Sequence, residues 1–198
     1  MNRWDEFYIA DTRILSAPPT QLSLRAARVF SEGGNHRILD LGCGAGRDLD
    51  PLQEAGLDVV GLDAAAAGLA LARSHGWEGK APDLVRGDAR QLPFADSSFD
   101  GVYSFGLLHE FTEDAGAQDI ERCMAEIRRV LRNSGCLVLA VLAGNPREGL
   151  PHVRLFSEEM LASATRGLFR VSLDLYSDIG CTGSHNYRIW AGIYRKGQ

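Results

Sequence analysis

The stretch RILDLGCGAG, residues 37–46, decides the fold of this chain. Its first half is mostly apolar, which is typical of a short buried strand. Its second half carries alternating glycines, which permit a tight turn that larger residues resist. A helical pattern follows to about Ala55, so a strand, a glycine-rich turn and a helix N-terminus come in succession. Such an arrangement allows the backbone to approach a bound ligand closely.

On both sides of this stretch, short apolar strands alternate with amphipathic helices. Upstream, a helical stripe consists of Leu22, Ala26, Val29 and Phe30. Downstream, strands are predicted at 58–62, 83–87, 99–104 and 136–142, and helices at 64–75 and 119–132, with Gly135 as the stop of the last helix. Strands that alternate with helices imply right-handed crossovers and a mostly parallel sheet.

The end of the chain breaks this alternation. Ser157 is a predicted N-cap of a short helix. Strands are predicted at 169–176 and 187–195, and their short connection favours an antiparallel pair. The second of these strands carries three aromatic residues that fit either a dimer face or the core: Tyr187, Trp190 and Tyr194.

Composition and charge exclude several classes of protein. The chain has 198 residues, 45% hydrophobic and 24% charged, which is ordinary for one globular domain. The net charge of −5 argues against bulk nucleic-acid binding. The longest apolar run, 136–143, is too short for a membrane-spanning helix, and the acidic N-terminal stretch does not match a secretory signal. The four cysteines form no close pair, which favours a reduced, cytoplasmic setting without a metal site.

The spacing of the glycines distinguishes between two kinds of ligand. A dinucleotide fingerprint, GxGxxG, would have its third glycine where this chain has Arg47. The chain instead has Gly42, Gly44 and Gly46, with Asp40 two residues earlier. A carboxylate there would repel a pyrophosphate and suit a ligand that carries an ammonium group. The alternatives left open are a glycine turn used only for strand–helix packing, and an Arg47 that faces either solvent or the ligand.

Two further acids follow predicted strands. Asp63 ends the second strand, where its carboxylate can accept hydrogen bonds from both hydroxyls of a ribose, or can cap the next helix. Asp88 ends the third strand, and with the backbone of Ala89 it can read the polar edge of adenine while Leu92 covers the ring. The alternative for Asp88 is a plain turn residue.

The fourth strand leads into SFGLLHE, residues 104–110, at the edge where ligand and reactant should meet. His109 is the candidate general base, and Glu110 is next to it. The alternative is that His109 packs beneath the loop with its hydrogen bonds satisfied.

Taken in order, these stretches resemble the class I S-adenosylmethionine-dependent methyltransferases. The likeness is carried by ILDLGCGAG (38–46), VVGLD (59–63), GDARQLPFADSSFDGV (87–102), GLLHEF (106–111) and EIRRVLRNSGCLVL (126–139). The resemblance implies an α/β fold, a Rossmann-like three-layer sandwich whose seven-stranded, mostly parallel sheet ends in an antiparallel C-terminal hairpin. It also implies a single methyltransferase domain over 1–198, consisting of an N-terminal lid or helix (1–35), a cofactor-binding core (36–143), and a substrate-side helix with the terminal strand pair (144–198).

The resemblance also assigns residues to the parts of S-adenosylmethionine. Asp40, Gly42, Cys43, Gly44 and Gly46 would contact the methionine part, Asp63 the ribose, and Asp88 and Ala89 the adenine, while Ser104 and Phe105 would line the methionine end. Ala64 is a further cofactor-binding residue. On the acceptor side the candidates are Trp4, Tyr8, His109 and His152, and His185 as a further possibility. Trp4, Phe7 and Tyr8 would form a lid, or else pack on the sheet edge. Cys181 is interpreted as an ordinary small residue.

The reaction implied by the resemblance is methyl transfer to a small-molecule acceptor by in-line displacement, which leaves S-adenosylhomocysteine. The accepting atom (thiol, oxygen, nitrogen or metalloid) is left open, although residues 104–110 lack the Asn/Asp-Pro-Pro-aromatic signature of enzymes that methylate base amino groups. No nucleic acid, membrane or metal is expected, and the chain would be a monomer or a homodimer. The alternatives are a non-catalytic, cofactor-binding member of the fold and an NAD(P)-linked oxidoreductase.

Overall fold

The structure is a computed structural model that describes residues 3–11, 17–77, 79–112, 116–145, 153–179 and 186–198. Its helices are α1 Arg3–Ala10, α2 Gln21–Glu32, α3 Leu49–Glu54, α4 Ala66–Ser74, α5 Gly116–Val130 and α6 Glu158–Ala164, with one 3₁₀ turn at Leu108–Glu110. Its strands are β1 Arg37–Leu41, β2 Asp58–Asp63, β3 Asp83–Arg86, β4 Phe99–Phe105, β5 Leu131–Leu142, β6 Leu168–Ile179 and β7 Asn186–Lys196. No helix in these ranges has the length and apolar character needed to cross a bilayer.

The strands form one seven-stranded sheet in the order β3-β2-β1-β4-β5-β7-β6. Neighbouring strands from β3 to β5 are parallel, whereas β7 runs antiparallel to both β5 and β6. The chain starts at β1 in the middle, moves outward through β2 and β3, and then returns to continue on the other side with β4. The predicted fold class is therefore confirmed, including the antiparallel C-terminal hairpin.

Helices cover both faces of the sheet, which gives the predicted three layers. The interior strand β5 is buried over Gly135–Leu142, and its side chains alternate between two hydrophobic clusters. Leu137 and Leu139 pack on the side of α5 and α6, whereas Val138 and Ala140 pack on the side of α2, α3 and α4. Burial on both faces explains why this strand is a continuous apolar run.

The predicted end of α5 is wrong. The helix ends at Val130, Leu131 already pairs with Phe99 of β4, and Gly135 lies inside β5 rather than stopping the helix. The side chain of Leu131 is fully buried. Because an apolar residue is buried whether it belongs to the helix or to the strand, the hydrophobic pattern alone could not locate the boundary.

The terminal aromatic residues belong to the core. Tyr194 is 1% exposed, and Trp190 packs against the same cluster and donates from Nε1 to the carbonyl oxygen of Phe156 at 3.1 Å. Tyr187 packs against the cluster on the opposite face. Of the two interpretations of these residues, the structure confirms the core.

A buried polar network links the start of α2 to the helix that follows the glycine turn. The Asp48 carboxylate accepts from the Thr20 backbone N–H at 2.7 Å and from the Tyr103 hydroxyl at 2.7 Å. The Thr20 hydroxyl caps α2 by accepting from the N–H of Ser23 at 3.0 Å. The network therefore joins three segments that lie far apart in the sequence.

We expect Gly101→Ala to destabilise the fold by about 1–3 kcal/mol, since a Cβ at this position would lie 2.6 Å from Phe30 and 2.8 Å from Ile38. The measurement is chemical denaturation. Gly76→Ala is the matched control, because a Cβ there meets nothing within 4 Å, and its free energy of unfolding should change by less than about 0.5 kcal/mol. Equal effects of the two variants would contradict close packing of α2 on β4.

Candidate functional site

The predicted motifs meet at the carboxyl edge of the sheet. Asp40 pairs in register with Gly61 of β2 and Tyr103 of β4, so the segments after these strands leave the sheet side by side. The N–H of Gly87 donates to the carbonyl oxygen of Asp63 at 3.0 Å, which joins the ends of β2 and β3. β1 and β4 flank the point where the chain reverses its direction across the sheet, the usual location of a ligand in such folds.

The turn after β1 requires its glycines. Gly42, Gly44 and Gly46 have φ values of +85°, +53° and +87°, which side chains rarely adopt. A Cβ at Gly42 would lie 3.2 Å from the Leu107 side chain, and the Tyr8 hydroxyl leaves no room for one at Gly44. The turn is thus closely surrounded by the segment after β4 and by α1.

Asp40 is the least compensated charge at this edge. It is 2% exposed, and its Oδ2 atom has no hydrogen-bond partner among the described residues. Burial raises the pKa of the Asp40 carboxyl well above its usual value, and the nearby Asp48 and Asp63 carboxylates raise it further. A group that brings a positive charge or a hydrogen-bond donor to Oδ2 would relieve this cost.

Asp63 connects the glycine turn to α4. Its Oδ2 accepts from the N–H of Gly44 at 2.8 Å, and its Oδ1 accepts from the N–H of Ala65 at 2.7 Å. Burial raises the pKa of Asp63, although these backbone hydrogen bonds oppose the shift. Both oxygens retain lone pairs for further donors, so capping and ribose binding are compatible roles. Ala64 follows Asp63 directly, before the start of α4, and is exposed.

The turn after β3 places Asp88 beside Arg90. The Arg90 guanidinium donates to Asp88 Oδ2 at 2.7 Å and to Asp119 Oδ2 at 2.8 Å. The hydrogen bonds from Arg90 lower the pKa of Asp88. Asp88 is therefore ionised and held in place, while Ala89 is buried beneath the turn.

The remaining predicted cofactor residues lie close to the glycine turn. The Ser104 hydroxyl is buried and donates to the carbonyl oxygen of Leu41 at 3.0 Å, so it fastens β4 to the end of β1. Phe105 is half-buried and packs against the cluster on the α2 side. Burial raises the pKa of the Cys43 thiol well above its usual value, which keeps this thiol protonated.

His109 is buried between the segments after β4 and β5. Its Nδ1 accepts from the N–H of Leu142 at 3.3 Å, and its carbonyl oxygen accepts from the N–H of Arg154 at 2.7 Å. Burial lowers the pKa of His109 to about 4, with a smaller contribution from Arg3. The imidazole is therefore neutral at pH 7, and the bond at Nδ1 places its proton on Nε2, 3.5 Å from Glu110 Oε1.

Helix α1 lies across the glycine turn and the segment after β4. Asp5 caps α4 by accepting from the N–H of Ala67 at 2.9 Å, and the Tyr8 ring packs between Gly44 and Gly68. At its other end, Arg3 forms an ion pair with Glu110. The Trp4 ring meets Phe7 edge-to-face and Tyr8 at a tilt, in the same cluster. The predicted N-terminal aromatic residues thus lie next to the predicted cofactor residues.

Some site features were not predicted from the sequence, and others lie outside the described residues. The Arg3–Glu110 pair joins residues more than a hundred positions apart, so no local sequence pattern predicts it. Arg47 donates to the carbonyl oxygen of Pro18 at 2.7 Å, so its side chain points toward the segment before α2. His152, Cys181 and His185 lie outside the described residues. Among the residues that are described, no cluster of three or more His, Cys, Asp or Glu side chains is placed to hold a metal.

Two shallow surface cavities lie away from this edge. One, of about 460 Å³, is lined by α6 and the start of β6. The other, of about 260 Å³, lies at the opposite edge of the sheet beside Asn35 and Arg132. Neither contains the acids of the candidate site, so the chemistry of the carboxyl edge, rather than cavity volume, identifies the site.

Comparison with known proteins agrees with this geometry. Residues 39–139 match the methyltransferase domain family. A demethylmenaquinone methyltransferase of Renibacterium salmoninarum is 38% identical over 107 residues, which cover 52% of this chain and 40% of that protein. A malonyl-[acyl-carrier protein] O-methyltransferase of Legionella pneumophila is 36% identical over 110 residues, covering 54% of this chain and 36% of that protein. The matched region is thus less than half the length of either relative.

A solved structure of similar fold is a SAM-dependent methyltransferase from Methanosarcina mazei. It is 23% identical, with a TM-score of 0.67, and the match covers 81% of this chain and 92% of that one. At this level of identity the likeness concerns the fold. The match to the family covers half of the chain and contains the glycine turn, Asp63 and Asp88. The chain therefore belongs to the methyltransferase domain family.

Proposed function

We propose that this chain binds S-adenosylmethionine at the carboxyl edge of its sheet and transfers the methyl group to a small acceptor. The observation that carries the proposal is the buried Asp40 carboxylate, whose Oδ2 atom lacks a partner among the described residues. S-adenosylmethionine carries an ammonium and a sulfonium group, so it can supply the missing positive charge. A dinucleotide would instead bring a pyrophosphate to a site that already holds Asp40 and Asp63.

The residues at this edge fit the three parts of the ligand. Asp40 and the glycine turn would hold the methionine part, because the turn brings backbone close to the ligand without side chains in between. Asp63 would accept from the ribose hydroxyls through lone pairs that its two backbone bonds leave free. Asp88 and the backbone of Ala89 would bind the adenine, since Asp88 is ionised and partly exposed.

The ligand supplies an electrophilic methyl group on a sulfonium that is already a good leaving group. The protein then has to hold an acceptor in line with that methyl group and exclude water, and such positioning can be worth up to about 7–11 kcal/mol. Helix α1 is placed for this task because it spans the glycine turn and the segment after β4. We therefore assign α1, with Trp4 and Tyr8, as a lid over the bound ligand.

The acceptor is proposed to be a small organic molecule. The two relatives carry names with different acceptors, a demethylated quinone in one and a malonyl group on a carrier protein in the other. Because the match covers the cofactor-binding region rather than the whole relative, neither acceptor transfers directly to this chain. Trp4, Tyr8, His109 and His152 remain the proposed acceptor-side residues.

His109 is the proposed base for acceptors that must lose a proton. Its depressed pKa keeps the ring unprotonated at neutral pH, but the bond from Leu142 places the ring proton on Nε2. Accepting a proton at Nε2 therefore requires a change of tautomer. An acceptor that ionises readily by itself, such as a thiol, needs no base. If the protein forms a methylated product from any acceptor in a panel, a non-catalytic role of the chain is excluded.

The affinities for two ligands should distinguish the roles of Asp40 and Asp63. Asp40→Asn should weaken binding of S-adenosylhomocysteine at least about tenfold and leave methylthioadenosine unaffected, because the latter has no amino-acid part. Asp63→Asn should weaken both ligands to a similar degree, because both carry the ribose. Calorimetry measures the affinities of the wild type and both variants for the two ligands, with NADH as a control ligand. If the wild type binds neither adenosyl ligand below millimolar concentrations, the proposed function is wrong.

Ligand binding should also change the protonation state of Asp40, which the same calorimetry can detect. Because the pKa of Asp40 is raised in the ligand-free site, ligation of the ammonium group should release a proton from Asp40 as the pH falls toward that pKa. The heat of binding should then depend on the ionisation enthalpy of the buffer. Asp40→Asn should remove this dependence, and a dependence that survives in Asp40→Asn would assign the proton elsewhere.

The shifted pKa of His109 also predicts how the stability of the fold depends on pH. The folded pKa of His109, about 4, lies below the ordinary value of 6.5, so the unfolded state takes up the proton first. Acidification from about pH 7 to 4 should therefore remove on the order of 3 kcal/mol of stability through His109. Asp40 and Asp63 have raised pKa values, so the folded state takes up their protons first. Through these two groups, acidification increases the free energy of unfolding.

His109→Asn isolates the contribution of the imidazole, because the Asn oxygen can replace Nδ1 as the acceptor for Leu142. The difference in unfolding free energy between wild type and variant should shrink steadily between about pH 7 and 4. Denaturant titrations at several pH values measure it. A difference that stays constant would show that His109 is not buried in its neutral form.

A further inference from the structure

Helix α5 grips the segment that follows β3. The Arg129 guanidinium donates to the carbonyl oxygens of Leu92 at 3.0 Å and Phe94 at 2.7 Å, and to Asp96 Oδ1 at 2.8 Å. One helical turn earlier, Glu126 forms a two-pronged pair with Arg129, with both distances 2.7 Å. Five hydrogen bonds thus converge on one guanidinium group.

Glu126 completes the grip from the other side. Its Oε2 atom accepts from the N–H of Leu92 at 2.6 Å, so both backbone polar groups of Leu92 are held by this pair of side chains. The Arg129 hydrogen bond lowers the pKa of Glu126, which therefore remains ionised. The side chains of Glu126 and Arg129 are 18% and 30% exposed, whereas Asp96 is 79% exposed, so the bonds to Glu126 and to the two backbone carbonyl oxygens are the better shielded ones.

Leu92 directly follows the turn that carries the proposed adenine residues. The N–H of Gln91 donates to the carbonyl oxygen of Asp88 at 3.0 Å and closes the turn. Ala89 and Leu92 are both buried in the cluster that α5 also contacts. A second link runs from Asp88 through Arg90 to Asp119, in the first turn of α5. The turn is therefore held on α5 at both of its ends.

We infer that Arg129, together with Glu126, is a positioning residue for base recognition, and that it acts through Leu92 on the Asp88–Ala89 turn. The inference rests on the proposed function, since it assumes that this turn reads the adenine. Arg129 itself donates to backbone carbonyl oxygens and to acids of the chain. Its role is to hold the Ala89 N–H and the Asp88 carboxylate at the spacing of the adenine edge, because hydrogen bonds weaken steeply with misalignment.

The test compares two ligands that differ in the base. S-adenosylhomocysteine presents a 6-amino group, which can donate a hydrogen bond to the Asp88 carboxylate. S-inosylhomocysteine presents a carbonyl oxygen in its place, and the carboxylate repels this oxygen. Wild-type protein should prefer the adenosyl ligand, and Arg129→Ala should reduce that preference by at least about fivefold. A purely structural role would lower the melting temperature without changing the ratio of the two affinities.

Arg132→Ala is the matched control. Arg132 also pairs with an acid, Asp100, and donates to a loop carbonyl oxygen, that of Ser97, at 3.2 Å, but it lies beyond the gripped segment. Its variant should keep the wild-type ratio within about twofold. Amide hydrogen exchange without ligand gives a second readout, since Arg129→Ala should accelerate exchange of 88–96 and Arg132→Ala should not.

Each outcome bears on a different statement. An unchanged ratio in Arg129→Ala, or an equal change in Arg132→Ala, overturns the positioning role while the proposed function stands. If the wild type fails to bind S-adenosylhomocysteine, the proposed function and the adenine role fail together, and unaltered exchange of 88–96 rejects the grip itself. Should Arg129→Ala not fold, Glu126→Gln is the second variant, and it should change the ratio in the same direction, by at least about twofold.

Discussion

The Asp63 carboxylate is the interaction on which the candidate site depends. Its two oxygens hold the N–H of Gly44 in the glycine turn and the N–H of Ala65 at the start of α4. The turn and the helix thereby take their positions from the end of one strand. Since Tyr8 of α1 packs between Gly44 and Gly68, the position of α1, the proposed lid, in turn depends on this arrangement.

The energetic cost of burying these carboxyl groups supports the proposed ligand. Asp40 and Asp63 are both withdrawn from water at one edge, and their pKa values are raised as a consequence. A buried polar atom without a partner costs roughly 1–3 kcal/mol, and a buried carboxylate costs more. A fold retains such a cost where a ligand can offset it. Family membership and the charge of S-adenosylmethionine are consistent with this physical argument.

Two helices from outside the central sheet act on opposite parts of the site. Helix α1 fastens to α4 through Asp5 and to the segment after β4 through Arg3, so it covers the proposed methionine and acceptor end. Helix α5 fastens the segment after β3 through Arg129, at the proposed adenine end. The strands supply the acids, and these helices determine how accurately the surrounding loops present them.

Local patterns in the sequence were sufficient for much of the fold. The bounds of β1 agree with the prediction, and the strand pair at the C-terminus is antiparallel as expected. The glycine spacing and the acids at the ends of β1, β2 and β3 identified the edge where the structure brings them together. Such features are readable because they depend on residues that are neighbours in the sequence: period, turn geometry and the ends of strands.

The amino-acid sequence by itself therefore determined the alternation of elements, the glycine turn and which acids lie at the ends of which strands. Only the tertiary structure decided that Asp40 lacks a partner for Oδ2, that His109 carries its proton on Nε2, and that Arg129 grips Leu92. It also decided where α5 ends, because pairing of Leu131 with Phe99 overrides the helical period. The physical reason is that hydrogen bonds and burial between distant residues depend on where the folded chain brings their backbones, which no local pattern records.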